Sequence, residues 1–200
     1  MTRFKTILSR ALPVLLLVAI AVPSQAATFT FTATLSGPNE APPNASPGTG
    51  FGTIVFDNVA HTLAIDISFS GLLGNTTASH LHCCIAPPGA TGVATQTPTF
   101  VSFPLGVTSG TYSHIFDTTQ AATFNAPFVT ANGGTALGAE AALLAGALAG
   151  NEYLNVHSSF APGGEIRGFL VAVPESTTAA LLGIGIVGIL AFAWIKRPSA

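Results

Sequence analysis

Between Thr62 and Ser70 the apolar residues Leu63, Ile65, Ile67 and Phe69 fall on alternate positions. A period of two puts one set of side chains on one side of a pleated strand and does not fit a helix, whose faces repeat every 3.6 residues. The same alternation runs from Thr28 to Leu35, with Phe29, Phe31, Ala33 and Leu35 facing inward. Further short strands are expected at Phe51–Asp57, Ala78–His82, Val101–Leu105, Tyr112–Phe116, Tyr153–His157 and Glu165–Ala172. Asp57-Asn58 marks a turn that makes a hairpin of the strands on either side. Pro38, Pro42, Pro43 and Pro47 hold Ser36 to Gly50 as loop, and Pro87-Pro88-Gly89 marks another. Two helices interrupt the strands. One covers Asn125–Ala131, with Pro127 near its start and Asn132-Gly133-Gly134 at its end. The other covers Ala136–Ala149, where Leu137, Leu143, Leu144 and Leu148 can pack on the sheet. About eight short strands with one or two inserted helices predict a mainly β domain, an antiparallel β-sandwich of the immunoglobulin-like kind.

Both ends of the chain read differently. Arg3, Lys5 and Arg10 precede an apolar stretch from Ala11 to Val22, and Ser24-Gln25-Ala26 forms a small-x-small cleavage site. Residues 1–26 therefore read as a signal peptide. At the other end Val173-Pro174-Glu175-Ser176 leads into an apolar run, residues 179–195, closed by Lys196-Arg197. As a helix that run would cover about 25 Å, enough for a thin bilayer core. Polar motif, apolar span and basic stop resemble the PEP-CTERM sorting tail of Gram-negative bacteria, recognised by a membrane-embedded exosortase. On that resemblance residues 173–200 form a sorting tail with Val173, Pro174 and Glu175 as its motif.

What lies between the two ends has the size of one domain. It carries seven acids against the single base Arg167, a net charge of about −6 with neutral histidines. A surface with one arginine and no lysine cannot neutralise a phosphate backbone or an anionic bilayer, so neither nucleic acid nor anionic lipid is an expected partner. The only cysteines, Cys83 and Cys84, are adjacent. Such a pair can form a vicinal disulfide, supply thiolate ligands, or fill space as small apolar residues.

Chemistry concentrates in three short motifs. His80-Leu81-His82 places two imidazoles at i and i+2, on one face of a strand and about 6.5–7 Å apart at Cα, within reach of one metal ion. Asn155-Val156-His157 lies near the end of another strand, and Gly163-Gly164-Glu165-Ile166-Arg167-Gly168 is a glycine turn feeding the last strand. A metal site would use His80, His82 and His157, with Cys83 or Cys84 near; imidazole and sulfur favour copper or zinc over magnesium or calcium. The competing reading is structural: the histidines and Asn155 hydrogen-bond across the fold and hold loop ends. Glu165 and Arg167, at i and i+2, are expected to form an ion pair. His61 and His114 stand alone and read as ordinary surface or loop residues. No Gly-x-Ser-x-Gly elbow, phosphate-binding glycine loop or HExxH helix is present, and the expected role is noncatalytic.

The run Leu35-Ser36-Gly37-Pro38-Asn39-Glu40-Ala41-Pro42-Pro43, then Ser79 to His82, Tyr153 to His157 and Gly163 to Gly168, resembles the CHRD domain, a module named from chordin and common in bacterial exported proteins. The resemblance covers about residues 28–172 and implies a sandwich fold without an assigned reaction. Cys83-Cys84 stands where many members have Gly-Pro, and Phe100–Ala149 reads as an insertion. By analogy of fold and motif it invites comparison with copper-zinc superoxide dismutase, a sandwich that also uses a His-x-His strand. Together these readings predict an exported, membrane-anchored and then cell-surface or extracellular-matrix protein, processed by an exosortase-type enzyme and acting with extracellular polysaccharide. The alternative is a metal-binding surface protein.

Overall fold

The computed structural model describes residues 28–174. The expected signal peptide, the apolar span 179–195 and Glu175 of the sorting motif lie outside the described residues. Among the described residues no helix is long and apolar enough to cross a membrane.

The hairpin expected from alternation is the centre of the fold. Strand β1 (Thr28–Ser36) pairs along its whole length with β2 (Thr49–Asp57), from Thr28 opposite Asp57 to Ser36 opposite Thr49. β2 pairs in the same unbroken way with β3 (Thr62–Ser70), and β3 with β5 (Gly110–Asp117). The turn between β2 and β3 is held by Asp57, whose Oδ1 accepts the N–H groups of Val59 and Ala60 at 3.0 and 2.7 Å. β4 (Thr76–Cys83), β6 (Glu152–Ser158) and β7 (Ile166–Phe169) complete the sheet on the other side of β1. The order is β4-β6-β7-β1-β2-β3-β5, with the short β8 (Val171–Ala172) also on β1. Every ladder is antiparallel.

The predicted sandwich of two sheets takes another form: one eight-stranded sheet curled into a half-barrel. The curl brings strands far apart in the order face to face. Leu154 of β6 lies over Gly52 of β2, where a Cβ would come within 2.6 Å of its Cδ2, so a larger residue would have to push the leucine aside. The edges β4 and β5 are joined by the irregular segment 93–108. Ala94 N donates to Leu81 O, Phe100 N to Ser79 O, and Thr76 N to Val107 O. Its Phe100 is fully buried and stacks on Tyr112 of β5 with ring centroids 5.7 Å apart.

Inside the curl lie Phe31, Leu35, Ile54, Leu63, Ile65, Leu81, Leu154 and Ile166, all without exposure. At about 25 cal/mol per Å2 of apolar surface, burial of this face dominates the stability of the domain. Helix α1 (Ala126–Ala131) and helix α2 (Ala136–Leu148) follow β5. Thr135 caps α2 by accepting from Gly138 N at 3.1 Å. Leu143 and Leu144 are buried, whereas Leu137 and Leu148 are half exposed, contrary to the expectation that all four pack. The strand expected at Val101–Leu105 is a turn, since Phe103 N donates to Phe100 O and Pro104 has no N–H for a ladder. The single strand expected at Glu165–Ala172 divides at Leu170, whose N–H goes to Glu152 O.

Candidate metal centre

Alternation on β4 and β6 gives each strand two jobs. Ser79, Leu81 and Cys83, with Leu154 and Val156, face the core, and His80, His82, Tyr153, Asn155 and His157 share the outer face. The register sets His80 opposite Asn155, His82 opposite Tyr153 and Ala78 opposite His157. This outer face is nevertheless covered, because loops fold over it. His80, His82 and His157 are 5, 7 and 9% exposed.

Each ring spends one nitrogen on a loop carbonyl. His80 Nε2 is 2.8 Å from Pro98 O, His82 Nδ1 2.9 Å from Thr91 O, and His157 Nδ1 2.9 Å from Pro162 O. A carbonyl oxygen only accepts, so each of these nitrogens carries the proton. The other nitrogen of each neutral ring then bears a lone pair. Those three atoms are His80 Nδ1, His82 Nε2 and His157 Nε2. Ligand nitrogens of the three rings lie within 4.8 Å of one another. His80 Nδ1 and His157 Nε2 are 3.3 Å apart, and His82 Nε2 has no partner at all. A shared ion about 2.0–2.1 Å from each of three nitrogens sets them about 3.3–3.6 Å apart. His80 and His157 already meet that spacing, and the widest pair needs to close by at most about 1.5 Å.

Burial also keeps the rings neutral. It pushes the His80 and His82 imidazoles down to about 4, opposed by the carbonyls of Pro98 and Thr91, and it lowers His157 in the same way. Burial therefore works against a proton shared between His80 and His157. Three converging lone pairs with no donor among them suit a cation.

A family model for the CHRD domain matches residues 31–170. The chain belongs to the CHRD domain family. Searches of the curated proteins and of the solved structures returned no match.

The glycine motif near the end of the CHRD domain serves the face beside the histidines. Arg167 is 1% exposed and stands opposite Asn155 across the β6–β7 ladder. The ion pair expected between Glu165 and Arg167 does not form. Arg167 donates instead to three loop carbonyls, from Nε to Asn39 O, at 2.9 Å to Gly89 O and at 2.7 Å to Pro88 O. Its nearest carboxylate is that of Glu40, with Oε2 3.9 Å from Nε. Burial pushes Glu40 up to about 7, against the pull of Arg167, the Ala41 N–H and Asn155. Glu165 lies at the sheet end and accepts from Ser46 Oγ at 2.6 Å, from Ser158 Oγ, and from the N–H groups of Leu73 and Gly74. Burial raises its pKa, yet these four donors outweigh burial and hold the carboxyl below its usual range. Gly164, at φ 135°, leaves the space where a Cβ would meet the Asn155 amide and Glu40 Oε1. Gly163 is exposed and touches nothing where a side chain would begin.

Cys83 and Cys84 are disulfide-bonded to each other, so neither offers a thiolate to the histidines. Cys83 also faces the opposite side of β4 from His82. The sulfurs rest over Gly146 of α2, where a Cβ would lie 2.7 Å from Cys84 Sγ. His61 and His114 stay outside the cluster. His61 is more than a loop residue, because its Nδ1 meets Glu140 Oε2 of α2 at 2.9 Å, and Thr118 Oγ1 donates to the same oxygen. His114 sits on β5 against Phe116, ring centroids 4.5 Å apart. Sequence reasoning missed the carbonyls of Thr91, Pro98 and Pro162, which no side-chain motif announces, and the role of Tyr153. That ring stacks on His82 and carries Arg167 on its other neighbouring side.

Proposed function

We propose that this is an exported bacterial surface or extracellular-matrix protein whose CHRD domain binds a copper or zinc ion through His80, His82 and His157. One observation carries the metal reading. Three buried imidazoles each give one N–H to a carbonyl, and their remaining lone pairs converge with nothing to accept from. The purely structural reading accounts for the three outer nitrogens, which do hold loop ends, and leaves the buried His82 Nε2 without a partner. When bound, the metal supplies Lewis acidity or one-electron chemistry; the chain itself contributes orientation, neutral ligands and exclusion of water. The proposed role is binding, without catalysis.

Export and sorting rest on the two ends of the chain: the signal peptide at residues 1–26, and the tail at 173–200 with its exosortase-type motif and membrane helix. Extracellular polysaccharide is the partner the sorting resemblance suggests. The test of the metal reading is elemental analysis of the full chain purified from an oxidising compartment, beside the His80→Ala/His82→Ala double variant. Near-stoichiometric copper or zinc in the parent and its loss in the folded variant is the expected result. Absence from both after reconstitution defeats the reading.

A further inference from the structure

We propose that the three-histidine site selects monovalent copper over zinc. The inference rests on the metal reading above and adds which ion and which charge the site accepts.

Three features of the site point the same way. The first is the donor set. Among the described residues the cluster consists of His80, His82 and His157, with no carboxylate or thiolate in it. Three neutral imidazoles leave the full charge of the ion uncompensated in a covered pocket. The Born cost of a desolvated charge rises with its square, so a divalent ion suffers about four times the penalty of a monovalent one. Sites that hold zinc in proteins commonly offset its charge with thiolate or carboxylate ligands, or complete four-coordination with water.

The second feature is a fixed positive charge. The Tyr153 ring stacks on His82 with centroids 4.7 Å apart and planes 8° apart. The Arg167 guanidinium carbon sits 4.8 Å from the centre of that same Tyr153 ring. These two steps in series keep the guanidinium within about 10 Å of the ligand ring, near enough to act across unscreened, dry protein. Among the described residues Arg167 is the charged side chain that this stack links to the His82 ring. It opposes any cation there, and a dication twice as strongly as a monocation. Its nearest carboxylate, Glu40, has Oε2 3.9 Å from Arg167 Nε.

The third feature is number. The cluster presents three lone pairs, and of the polar groups beside it Tyr153 and Arg167 are committed, while Asn155 Oδ1 has no hydrogen-bond partner. Tyr153 Oη donates to Thr91 O, and Arg167 donates to three carbonyls. Monovalent copper accepts three ligands readily, whereas zinc favours four and divalent copper a tetragonal set.

The test uses the full chain, purified in mild detergent from an oxidising compartment and stripped of metal. Cuprous ion, kept reduced by ascorbate under argon, is titrated against bicinchoninate, and zinc against a chelating dye. Ascorbate leaves the Cys83–Cys84 disulfide closed, and a thiol assay before and after confirms it. Expected is one cuprous ion per chain, bound at least about 1000-fold more tightly than zinc, with His82→Gln weakening it at unchanged near-UV circular dichroism. Zinc binding as tight as copper or tighter, weakened by the same variant, overturns the selectivity and leaves the metal site standing. Failure to bind either ion, or binding that the His80→Ala/His82→Ala variant retains, overturns both.

Discussion

Tyr153 and His82 stack face to face, and both donate to the same oxygen, the carbonyl of Thr91, at 3.1 and 2.9 Å. Thr91 N in turn donates to Tyr153 Oη at 3.2 Å. The phenol therefore fixes the carbonyl that fixes the tautomer of His82. Tyr153→Phe keeps the stack and removes this link. It is expected to weaken metal binding about tenfold with little change in fold, as for other groups that orient a ligand ring. A competition titration that shows equal affinity for parent and variant removes Tyr153 from the site.

Acid should release the metal late. Proteins that hold metal on exposed histidines lose it near the ordinary imidazole range of about 6.5. With His80 and His82 held near 4 by burial, protons compete less well. Retention through pH 5 and loss nearer pH 4 is the expected profile on equilibrium dialysis. In the metal-free protein the same shift acts on stability. Unfolded histidines take up protons below about 6.5 and the buried ones do not, so their contribution, full above that value, is lost as pH falls toward 4. Glu40 works in the opposite sense, since its raised pKa of about 7 gives stability at low pH that fades as pH rises through neutrality. Release centred near pH 6.5 contradicts the buried, neutral site.

Glu152 is fully buried and neither carboxyl oxygen has a partner. Burial raises its pKa well above the usual range. A raised folded pKa means its cost is least below about 4.5 and grows as pH rises. Glu152→Met is expected to stabilise the domain by about 1–3 kcal/mol at neutral pH. The gap should narrow toward pH 4.5 in urea titrations. A variant less stable than the parent at pH 7 shows that the carboxyl stabilises the fold, against this reading.

Removing Arg167 takes away the common donor of Asn39, Pro88 and Gly89. Arg167→Met is expected to cost about 3–5 kcal/mol, as buried charged groups with several partners do. Arg167→Lys keeps the charge but not the fork, and should recover only part of it. Chemical denaturation gives both numbers, and a loss below about 1 kcal/mol for the methionine variant denies that the loops depend on this side chain.

Val173 N still donates to Thr30 O, and Val173 and Pro174 are exposed beside the sheet. Substituting Pro174 and Glu175 together is expected to block release from the membrane. The readout is the size and location of the mature protein in its host. If both stay unchanged, the sorting reading of the tail fails.

Much of the sheet was legible because its strands obey a two-residue period with β-branched or aromatic residues on one side. The range of β3 matched from end to end for this reason. His-x-His and Asn-x-His were legible as well, since alternation alone puts such residues on one face. The partners of Arg167 were not. They are backbone oxygens of loops 78 to 128 residues away, and no side chain marks them. The curl was hidden for a related reason: the segment that joins β4 to β5 bonds through its backbone and has no repeating pattern. Val101, Phe103 and Leu105 mimic a strand, and only Pro104 warned against it.

On β4 and β6, the residues that make the core and those that hold the histidine cluster occupy alternate places in the same few residues. A substitution at one of the histidines therefore falls on the covered outer face, where His80 meets Phe100, and leaves Leu81, Leu154 and Val156 in their places. The core face and the histidine face can then change separately, because they share strands and not side chains.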